Sequence, residues 1–153
     1  MTSDWRTDGV RVVPADALDD RTAQTPGMHR AAAVGARTGA TGLWAGTVTI
    51  APDARTGAHH HGELESVIYV VSGWAQMRWG HRLEFTAEAG PGAFIYIPPH
   101  VPHQELNASA TEPLHCVVTR TGLEPVVVNL ELDGVVDDPE QVAWVDPSHV
   151  TGS

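Results

Sequence analysis

Short runs of β-branched and aromatic residues, each closed by Gly, Pro or Asp, recur along this chain from residue 43 onward. Their spacing is close to the roughly 8–12 residues that is typical of β-sandwiches and β-barrels. The predicted strands are residues 43–50, 66–71, 75–79, 94–97, 114–119 and 126–130. A helical period is not sustained anywhere, and the one short helix that the pattern allows lies near residues 139–144. The sequence therefore predicts an all-β domain.

Two segments of different composition flank these predicted strands. Residues 1–42 have few large apolar side chains and are rich in Ala, Gly, Thr and Asp, which predicts a loose N-terminal arm with short strands such as 10–13. Residues 131–153 contain acids but no Lys or Arg, as expected of a solvated acidic C-terminal arm. The chain has 153 residues, so we expect one domain in total, with its barrel at 43–130.

The charge of the chain limits its partners. The formal net charge is −10 at pH 7, and there is no lysine. An acidic surface repels nucleic acid and anionic membranes, so we expect neither as a partner. Without a lysine amine a Schiff-base mechanism is excluded, and a carbonyl substrate needs another activating group, such as a metal. The single cysteine, Cys116, and the lack of a secretory leader or an apolar run of about 18 residues predict a cytoplasmic protein.

Three consecutive histidines, His59, His60 and His61, stand shortly before the predicted strand 66–71. Side chains alternate along an extended chain, so His59 and His61 share one side and His60 faces the other. Two imidazoles on one side can reach one cation, whereas His60 would need a bulge to join them. We therefore predict His59 and His61 as metal ligands and assign His60 either a packing role or a role in supporting the ligands.

A second segment, residues 90–107, supplies another candidate ligand. Its prolines predict a rigid turn that ends at His103. Together with the His–x–His pair, this segment resembles the two signature motifs of the cupin superfamily. The second motif fits at Gly92, Pro98, His103 and Asn107, with His100 where a glycine is usual. The first motif fits at His59, His61 and Gly73, with Asp53 in place of its leading glycine. The resemblance implies a double-stranded β-helix barrel of jelly-roll type with a metal inside.

The first motif also departs from the cupin pattern at its carboxylate. Counting back from Gly73, the usual glutamate position holds Ser66, and Glu65 lies one residue earlier with the opposite alternation. Either a bulge turns Glu65 inward, or the site has no glutamate from this strand. His115, at the start of the predicted strand 114–119, faces inward in one of two registers and is the candidate fourth ligand. The predicted metal ligands are His59, His61, His103 and His115.

An imidazole-rich site suits transition metals better than Mg²⁺ or Ca²⁺. We expect zinc, with Fe(II), nickel or manganese as alternatives. Alternation also assigns inward faces, because polar Gln76 and Arg78 share one side of the strand 75–79. The candidate substrate wall consists of Ile68, Val70, Met77, Trp79, Phe94 and Tyr96, where alternation allows the last two only as a pair.

The combined stretch from residue 59 to residue 107 resembles a subgroup of small single-domain bacterial cupins that includes metal-dependent cyclases of actinomycete aromatic polyketide pathways. This resemblance implies a zinc-dependent polyketide cyclase that closes a ring by an aldol-type reaction and loses water. The residues expected to carry the catalysis are His59, His61, His103 and Glu65. The base that takes the α-proton remains open between a non-ligating histidine, hydroxide held by the metal, and Glu65.

Other functions are compatible with the same motifs, because fold does not fix reaction. An Fe(II)-dependent cupin dioxygenase would consume oxygen during turnover. A non-enzymatic cupin would bind a small molecule without converting it. A sugar isomerase fits less well, because its polar substrate does not match the apolar wall. We expect a small-molecule partner and a monomer or homodimer.

Overall fold

The structure is a computed structural model that describes residues 4–22 and 24–149. The outermost parts of the two predicted arms, residues 1–3 and 150–153, lie outside the described residues. The described chain forms eleven strands: β1 (Met28–Val34), β2 (Leu43–Ile50), β3 (His59–His60), β4 (Ser66–Ser72), β5 (Ala75–Trp79), β6 (Phe85–Ala89), β7 (Phe94–Ile97), β8 (His103–Asn107), β9 (Leu114–Thr121), β10 (Val128–Asn129) and β11 (Glu140–Gln141). The helical elements are α1 (Trp5–Asp8) and 3-10 turns at Ala15–Ala17, Ala36–Thr38 and Pro147–His149. None of the helices in the described ranges is long and apolar enough to cross a membrane.

The strands form two sheets that enclose the interior. One sheet has five strands in the order β1-β2-β9-β4-β7, and the other has six in the order β10-β3-β8-β5-β6-β11. The long central ladders, β2 with β9 and β4 with β9, are antiparallel, while the short β11 pairs with β6 in parallel. This arrangement confirms the predicted all-β fold class. Because each strand turns one face inward, alternate residues of both sheets meet in the interior.

Several predicted strands are found at their predicted positions. β2, β5 and β7 begin and end where the sequence places them, and β4 and β9 are longer by one and two residues at their ends. The predicted faces of β5 are also found, since Ala75 and Met77 are buried. Between β4 and β5 the chain turns at Gly73, whose φ of +90° favours glycine. A Cβ there would also lie 2.6 Å from the carbonyl oxygen of Pro113, so a side chain does not fit.

The two flanking segments differ from the prediction. Residues 10–13 form no strand, but β1 lies inside the supposed loose arm and pairs along its length with β2. The expected helix near 139–144 is absent from the described residues, and β11 occupies its place. The three alanines of β1 have low β propensity, so the sequence pattern does not predict this strand. In the structure, its pairing with β2 outweighs that propensity. The N-terminal arm is therefore partly built into the five-stranded sheet.

The hydrophobic core fills one part of the interior and leaves another part open. Along β9, Leu114 and Cys116 are buried in the core, whereas Val118 and Arg120 line a cavity. The other core residues are Met28, Val48, Ile50, Ile68, Val70, Ala75, Met77 and Ile97. Asn107 lies at the core end of β8, where its side-chain amide donates to the backbone oxygens of Ile50 and Glu112 at 3.1 and 2.8 Å. The packed end thus supports an open end that contains the candidate site.

Candidate metal centre

β3 and β8 bring together the two histidine-bearing segments of the chain. His59 in β3 is the direct cross-strand partner of His103 in β8, and their ring centroids are 4.4 Å apart. His61 follows β3, with its ring centroid 4.9 Å from that of His59 and 5.1 Å from that of His103. The three imidazoles predicted as ligands therefore converge on one small volume.

Glu105 adds a carboxylate to these imidazoles. It lies two residues after His103 in β8, so both side chains project from the same face of the strand. One potential ligand atom from each of His59, His61, His103 and Glu105 lies within 4.8 Å of the others. We refer to these four residues as the histidine–glutamate cluster. Their arrangement fits a single metal ion.

Each imidazole of the cluster is oriented by a backbone carbonyl. The Nδ1 atom of His59 is 2.8 Å from the oxygen of Gly57, that of His61 is 2.8 Å from the oxygen of Val126, and that of His103 is 2.9 Å from the oxygen of Val101. A carbonyl oxygen only accepts, so Nδ1 carries the proton in each ring. The lone pair then lies on Nε2 in all three. This is the tautomer that a metal ligated through Nε2 requires.

The buried end of the cluster contains a polar atom without a hydrogen bond. His103 is 1% exposed, and within the described residues its Nε2 has no hydrogen-bond partner. Glu105 Oε1 lies 3.6 Å from this atom, which is near enough for electrostatic attraction but long for a hydrogen bond. A buried polar atom of this kind usually has a partner, and a metal ion in the cluster would supply it.

The electrostatics of the cluster separates Glu105 and His103 from the other two histidines. Burial lowers the pKa of His59, and burial together with neighbouring groups lowers the pKa of His61 to about 4. Burial acts in the same direction on His103, but contact with the Glu105 carboxylate outweighs it and the pKa of His103 is raised. Burial would raise the pKa of Glu105, yet the three histidines lower it. Glu105 is therefore ionised at neutral pH, and His59 and His61 are neutral.

The cluster lies in the wall of a cavity of about 230 Å³ between the two sheets. The apolar part of the wall is formed by Trp44, Val48, Ile68, Val118, Pro125 and Val127. Two arginines, Arg30 and Arg120, line the same space, as do several hydroxyl side chains. Small-molecule sites usually offer about 300–1,000 Å³, so this cavity suits a small substrate or one part of a longer one.

Three imidazoles and one carboxylate form a donor set that transition metals favour. Zinc, iron and nickel bind imidazole nitrogen readily, and one carboxylate oxygen is compatible with each of them. The shared Nδ1-to-carbonyl orientation and the unpartnered Nε2 of His103 both fit a metal ligated by these residues. A bound metal in this wall would face the cavity, where a substrate can reach it.

Two residues that the sequence placed in the site lie elsewhere, which corrects the prediction. His115 is exposed on the outer face of β9, where its Nδ1 lies 3.1 Å from the hydroxyl of Thr49. The inward register of β9 belongs to Leu114 and Cys116, so His115 takes no part in the cluster. Glu65 is also exposed, and it accepts a hydrogen bond of 2.6 Å from the hydroxyl of Tyr96. No bulge turns Glu65 inward; Ser66 lines the cavity instead.

The predicted substrate wall is also only partly found at the cavity. Ile68 lines it, whereas Val70 and Met77 belong to the packed core and Trp79 packs against that core. Phe94 and Tyr96 are 72% and 56% exposed, because β7 turns Ile95 and Ile97 inward instead. The predicted inward orientation of Phe94 and Tyr96 is therefore wrong. All four residues of β7 are apolar or aromatic, so alternation alone does not choose between the two faces.

Glu105 is the site residue that the sequence reasoning missed. Like His59 and His61, His103 and Glu105 are separated by one residue, so on a strand their side chains also share a face. That signal was present in the stretch from His103 to Asn107. The cupin pattern instead places its carboxylate at position 66, which is Ser66 in this chain.

Comparison with known families supports the resemblance seen in the motifs. The family model described as Cupin domain matches residues 46–120, which include the whole histidine–glutamate cluster. No curated protein matches this chain.

Solved structures extend the likeness beyond that segment. The polyketide cyclase RemF from Streptomyces resistomycificus aligns with 91% of this chain and 89% of its own, at 25% identity and a TM-score of 0.63. A putative sugar phosphate isomerase from Acidithiobacillus ferrooxidans covers 64% of this chain and 62% of its own, at 28% identity and a TM-score of 0.52. Oxalate decarboxylase OxdC from Bacillus subtilis covers 71% of this chain but only 29% of its own, at 22% identity and a TM-score of 0.60, which shows the fold alone.

Proposed function

This chain belongs to the cupin superfamily, and from that premise we propose that it is a zinc-dependent polyketide cyclase. Its reaction would be an aldol-type ring closure of a poly-β-keto intermediate in aromatic polyketide biosynthesis. The observation that carries the proposal is the histidine–glutamate cluster in the wall of a partly apolar cavity. The likeness to RemF along nearly the whole of both chains supports a cyclase over the other reactions known on this fold.

His59, His61, His103 and Glu105 would hold the metal, with the Nε2 atom of each imidazole as the ligand atom. A divalent metal supplies a Lewis acid, which polarises a carbonyl and makes a C–H between two carbonyls more acidic. In the ring closure, that carbon loses its proton and forms a bond to a distant carbonyl carbon, whose oxygen takes up a proton. Loss of water from the resulting alcohol then leads to the aromatic ring.

The cavity wall would contribute by holding the poly-β-keto substrate in a folded conformation. Trp44, Ile68 and Val118 give the carbon skeleton an apolar surface, and packing against it would bring the reacting carbon near its carbonyl partner. At about 230 Å³ the cavity encloses only part of a long poly-β-keto chain. A confined and partly apolar space also keeps water away from the reacting carbons.

Proton transfer is restricted by what lines the cavity. Glu65 faces the outer surface, so it is not the base. Among the described lining residues, Glu105 is the only carboxylate, and His59 and His61 are the only imidazoles. Because the three imidazoles would bind the metal through Nε2 and keep a proton on Nδ1, the proton acceptor is a carboxylate oxygen of Glu105 or a water molecule beside the cluster.

Ring closure after metal removal tests this proposal. Purified protein would be supplied with poly-β-keto chains made in situ by a minimal polyketide synthase, under anaerobic conditions. We expect cyclised product, its loss after dialysis against a chelator, and its return on addition of zinc. The variants His59→Ala and His103→Ala should be inactive, while His115→Ala on the outer face should retain activity.

The contrary results are equally specific. Full cyclising activity after chelation, or in both cluster variants, would refute a metal-dependent cyclase. Turnover that requires and consumes oxygen would identify a dioxygenase instead. Binding of the poly-β-keto substrate without any conversion would indicate a non-enzymatic cupin.

A further inference from the structure

Arg120 lies in the cavity wall, where its guanidinium forms an ion pair with no carboxylate of the described residues. In β9 it is the cross-strand neighbour of Trp44 in β2 and of Ser66 in β4. Its Nε atom is buried and makes no hydrogen bond, and no ion pair of its guanidinium is found within the described ranges 4–22 and 24–149. A half-buried guanidinium that pairs with no anion costs free energy that a bound anion would return.

A second arginine faces the same cavity with only neutral partners. Arg30 in β1 donates from Nη1 to the hydroxyl of Thr25 at 2.9 Å and from Nη2 to the sulfur of Met28 at 3.6 Å. Glu105 is the only acidic side chain among the described lining residues, and His103 lies beside it. The two cationic side chains therefore have no carboxylate of their own in this space.

Trp44 fixes the direction of Arg120. The guanidinium carbon of Arg120 lies 4.3 Å from the centroid of the Trp44 ring, which is a cation–π contact. The ring in turn lies over Gly46, where a Cβ would come within 2.6 Å of its Cη2 atom. Gly46 therefore leaves the room that the indole needs, and the indole holds one face of the guanidinium. The edge of the guanidinium, with its N–H donors, remains available for a ligand.

The placement of the charged residues on two different sheets suggests what the ligand is. The histidine–glutamate cluster belongs to β3, β8 and the residue after β3, whereas Arg30 and Arg120 belong to β1 and β9 of the other sheet. Burial and then the charge of Arg30 lower the pKa of Arg120, while the charge of Glu105 acts in the opposite direction, as expected of two half-buried cations that lie near each other. An arginine fork matches a carboxylate in shape and charge.

We propose that Arg30 and Arg120 bind a carboxylate of the substrate, so that the preferred substrates are poly-β-keto acids rather than neutral polyketones. The proposal rests on the proposed function, because it assigns the other end of the same substrate. The dicarbonyl portion would lie toward the histidine–glutamate cluster, and the acid would lie on the opposite sheet. The arginines are thus specificity-determining residues, and they take no part in proton transfer.

Binding of a matched pair of small probes tests this assignment without turnover. Calorimetry on the zinc-loaded protein would compare 2,4-dioxopentanoate with its methyl ester, which keeps the diketone and removes the charge. Hydrogen bonds to charged groups contribute roughly 1.5–3 kcal/mol, so we expect the acid to bind about ten- to a hundredfold more tightly than the ester. In Arg120→Gln this preference should fall to less than about threefold, while the affinity for the ester stays within about twofold of wild type.

Two further variants make the result decisive. Arg37→Gln changes the net charge equally but lies on the surface, so it should keep the full preference. Arg120→Lys keeps the charge without the planar fork and should keep only part of it. Equal affinity for acid and ester in wild type, or an unchanged preference in Arg120→Gln, would overturn the proposal.

Inorganic phosphate distinguishes a carboxylate site from a phosphate site. If inorganic phosphate displaces 2,4-dioxopentanoate when phosphate is the less concentrated of the two, the assignment is also overturned. Binding is measured without turnover, so a preference of the wild-type protein for the acid over the ester supports the anion site even where ring closure fails. Absence of that preference refutes the anion site even where ring closure is intact.

Discussion

The two sheets contribute to the cavity in opposite ways. The six-stranded sheet contributes imidazoles that are oriented in advance, since every Nδ1 of the cluster meets a backbone carbonyl and every Nε2 is left for a ligand. The five-stranded sheet contributes Arg120, whose Nε has no hydrogen-bond partner among the described residues, stacked on Trp44. One wall is suited to a metal ion and the other to an anionic group. A substrate that carries a carbonyl and an acid would satisfy both.

The largest expected effect comes from removing a ligand from the six-stranded sheet. In His59→Ala we expect zinc affinity to fall by more than about 100-fold, because changes outside the ligand set already cost about 10–100-fold. His115→Ala should bind zinc like wild type, since its side chain lies on the outer face. Competition with a zinc-binding dye measures both. Similar affinities in the two variants would remove the distinction between cluster and surface histidines.

A smaller effect is expected from crowding the five-stranded sheet at Gly46. A Cβ at this position would press against the Trp44 ring and the carbonyl oxygen of Ala31, so Gly46→Ala should lower the free energy of unfolding by about 1–3 kcal/mol. The displaced indole should also weaken the preference for 2,4-dioxopentanoate over its ester, with little change in zinc affinity. Urea unfolding and calorimetry measure the two effects. A parallel loss of zinc affinity would show that the walls are not independent.

Acid should weaken the metal-free protein through the histidines of the cluster. His61 has a folded-state pKa of about 4, below its ordinary value of 6.5, so the unfolded chain takes up this proton first. The stability that neutral His61 contributes is complete above about pH 6.5 and is lost progressively as the pH falls toward 4. His103 acts in the opposite direction, because its pKa is raised.

Unfolding midpoints at several pH values check this sign. Between pH 6.5 and 4 the metal-free His61→Gln variant should lose less stability than wild type, because its side chain does not titrate. Identical pH dependence in the two proteins would show that His61 is not held neutral by burial.

The smallest effect is expected on the outer surface of the five-stranded sheet. Glu65→Gln removes the charge that Tyr96 contacts at an exposed position, so stability should change by no more than about 0.5 kcal/mol and the rate of ring closure by less than about twofold. Steady-state kinetics decide this prediction. A loss of activity of about tenfold or more would return Glu65 to the catalytic machinery and contradict the separation of inner and outer faces.

Much of the fold could be predicted because strand alternation and turn residues act locally. The strands β2, β5 and β7 and the pairing of His59 with His61 follow from such patterns. Alternation does not say which face of a strand is buried when both are apolar, which is why Phe94 and Tyr96 were placed inside. It also left His115 with two registers, and only the pairing of β9 between β2 and β4 chooses between them.

Other features depend on contacts between distant parts of the chain. β1 has a sequence of low β propensity and exists through its ladder with β2. Arg120 and Arg30 are 90 positions apart in the numbering and meet only because β1 and β9 flank β2 in one sheet. Nothing in the local sequence of either arginine distinguishes it from a surface arginine. The histidine half of the candidate site was thus largely accessible from sequence, while the arginine half was not.

Metal content is the most direct test of the central claim that the histidine–glutamate cluster holds a metal ion. The protein would be produced without added metal, purified without a histidine tag or chelator, and analysed by inductively coupled plasma mass spectrometry beside His103→Ala. We predict about one equivalent of a divalent metal, chiefly zinc, per wild-type chain and almost none in the variant. Wild-type protein that is folded, free of metal and unable to take up zinc on dialysis would contradict the account.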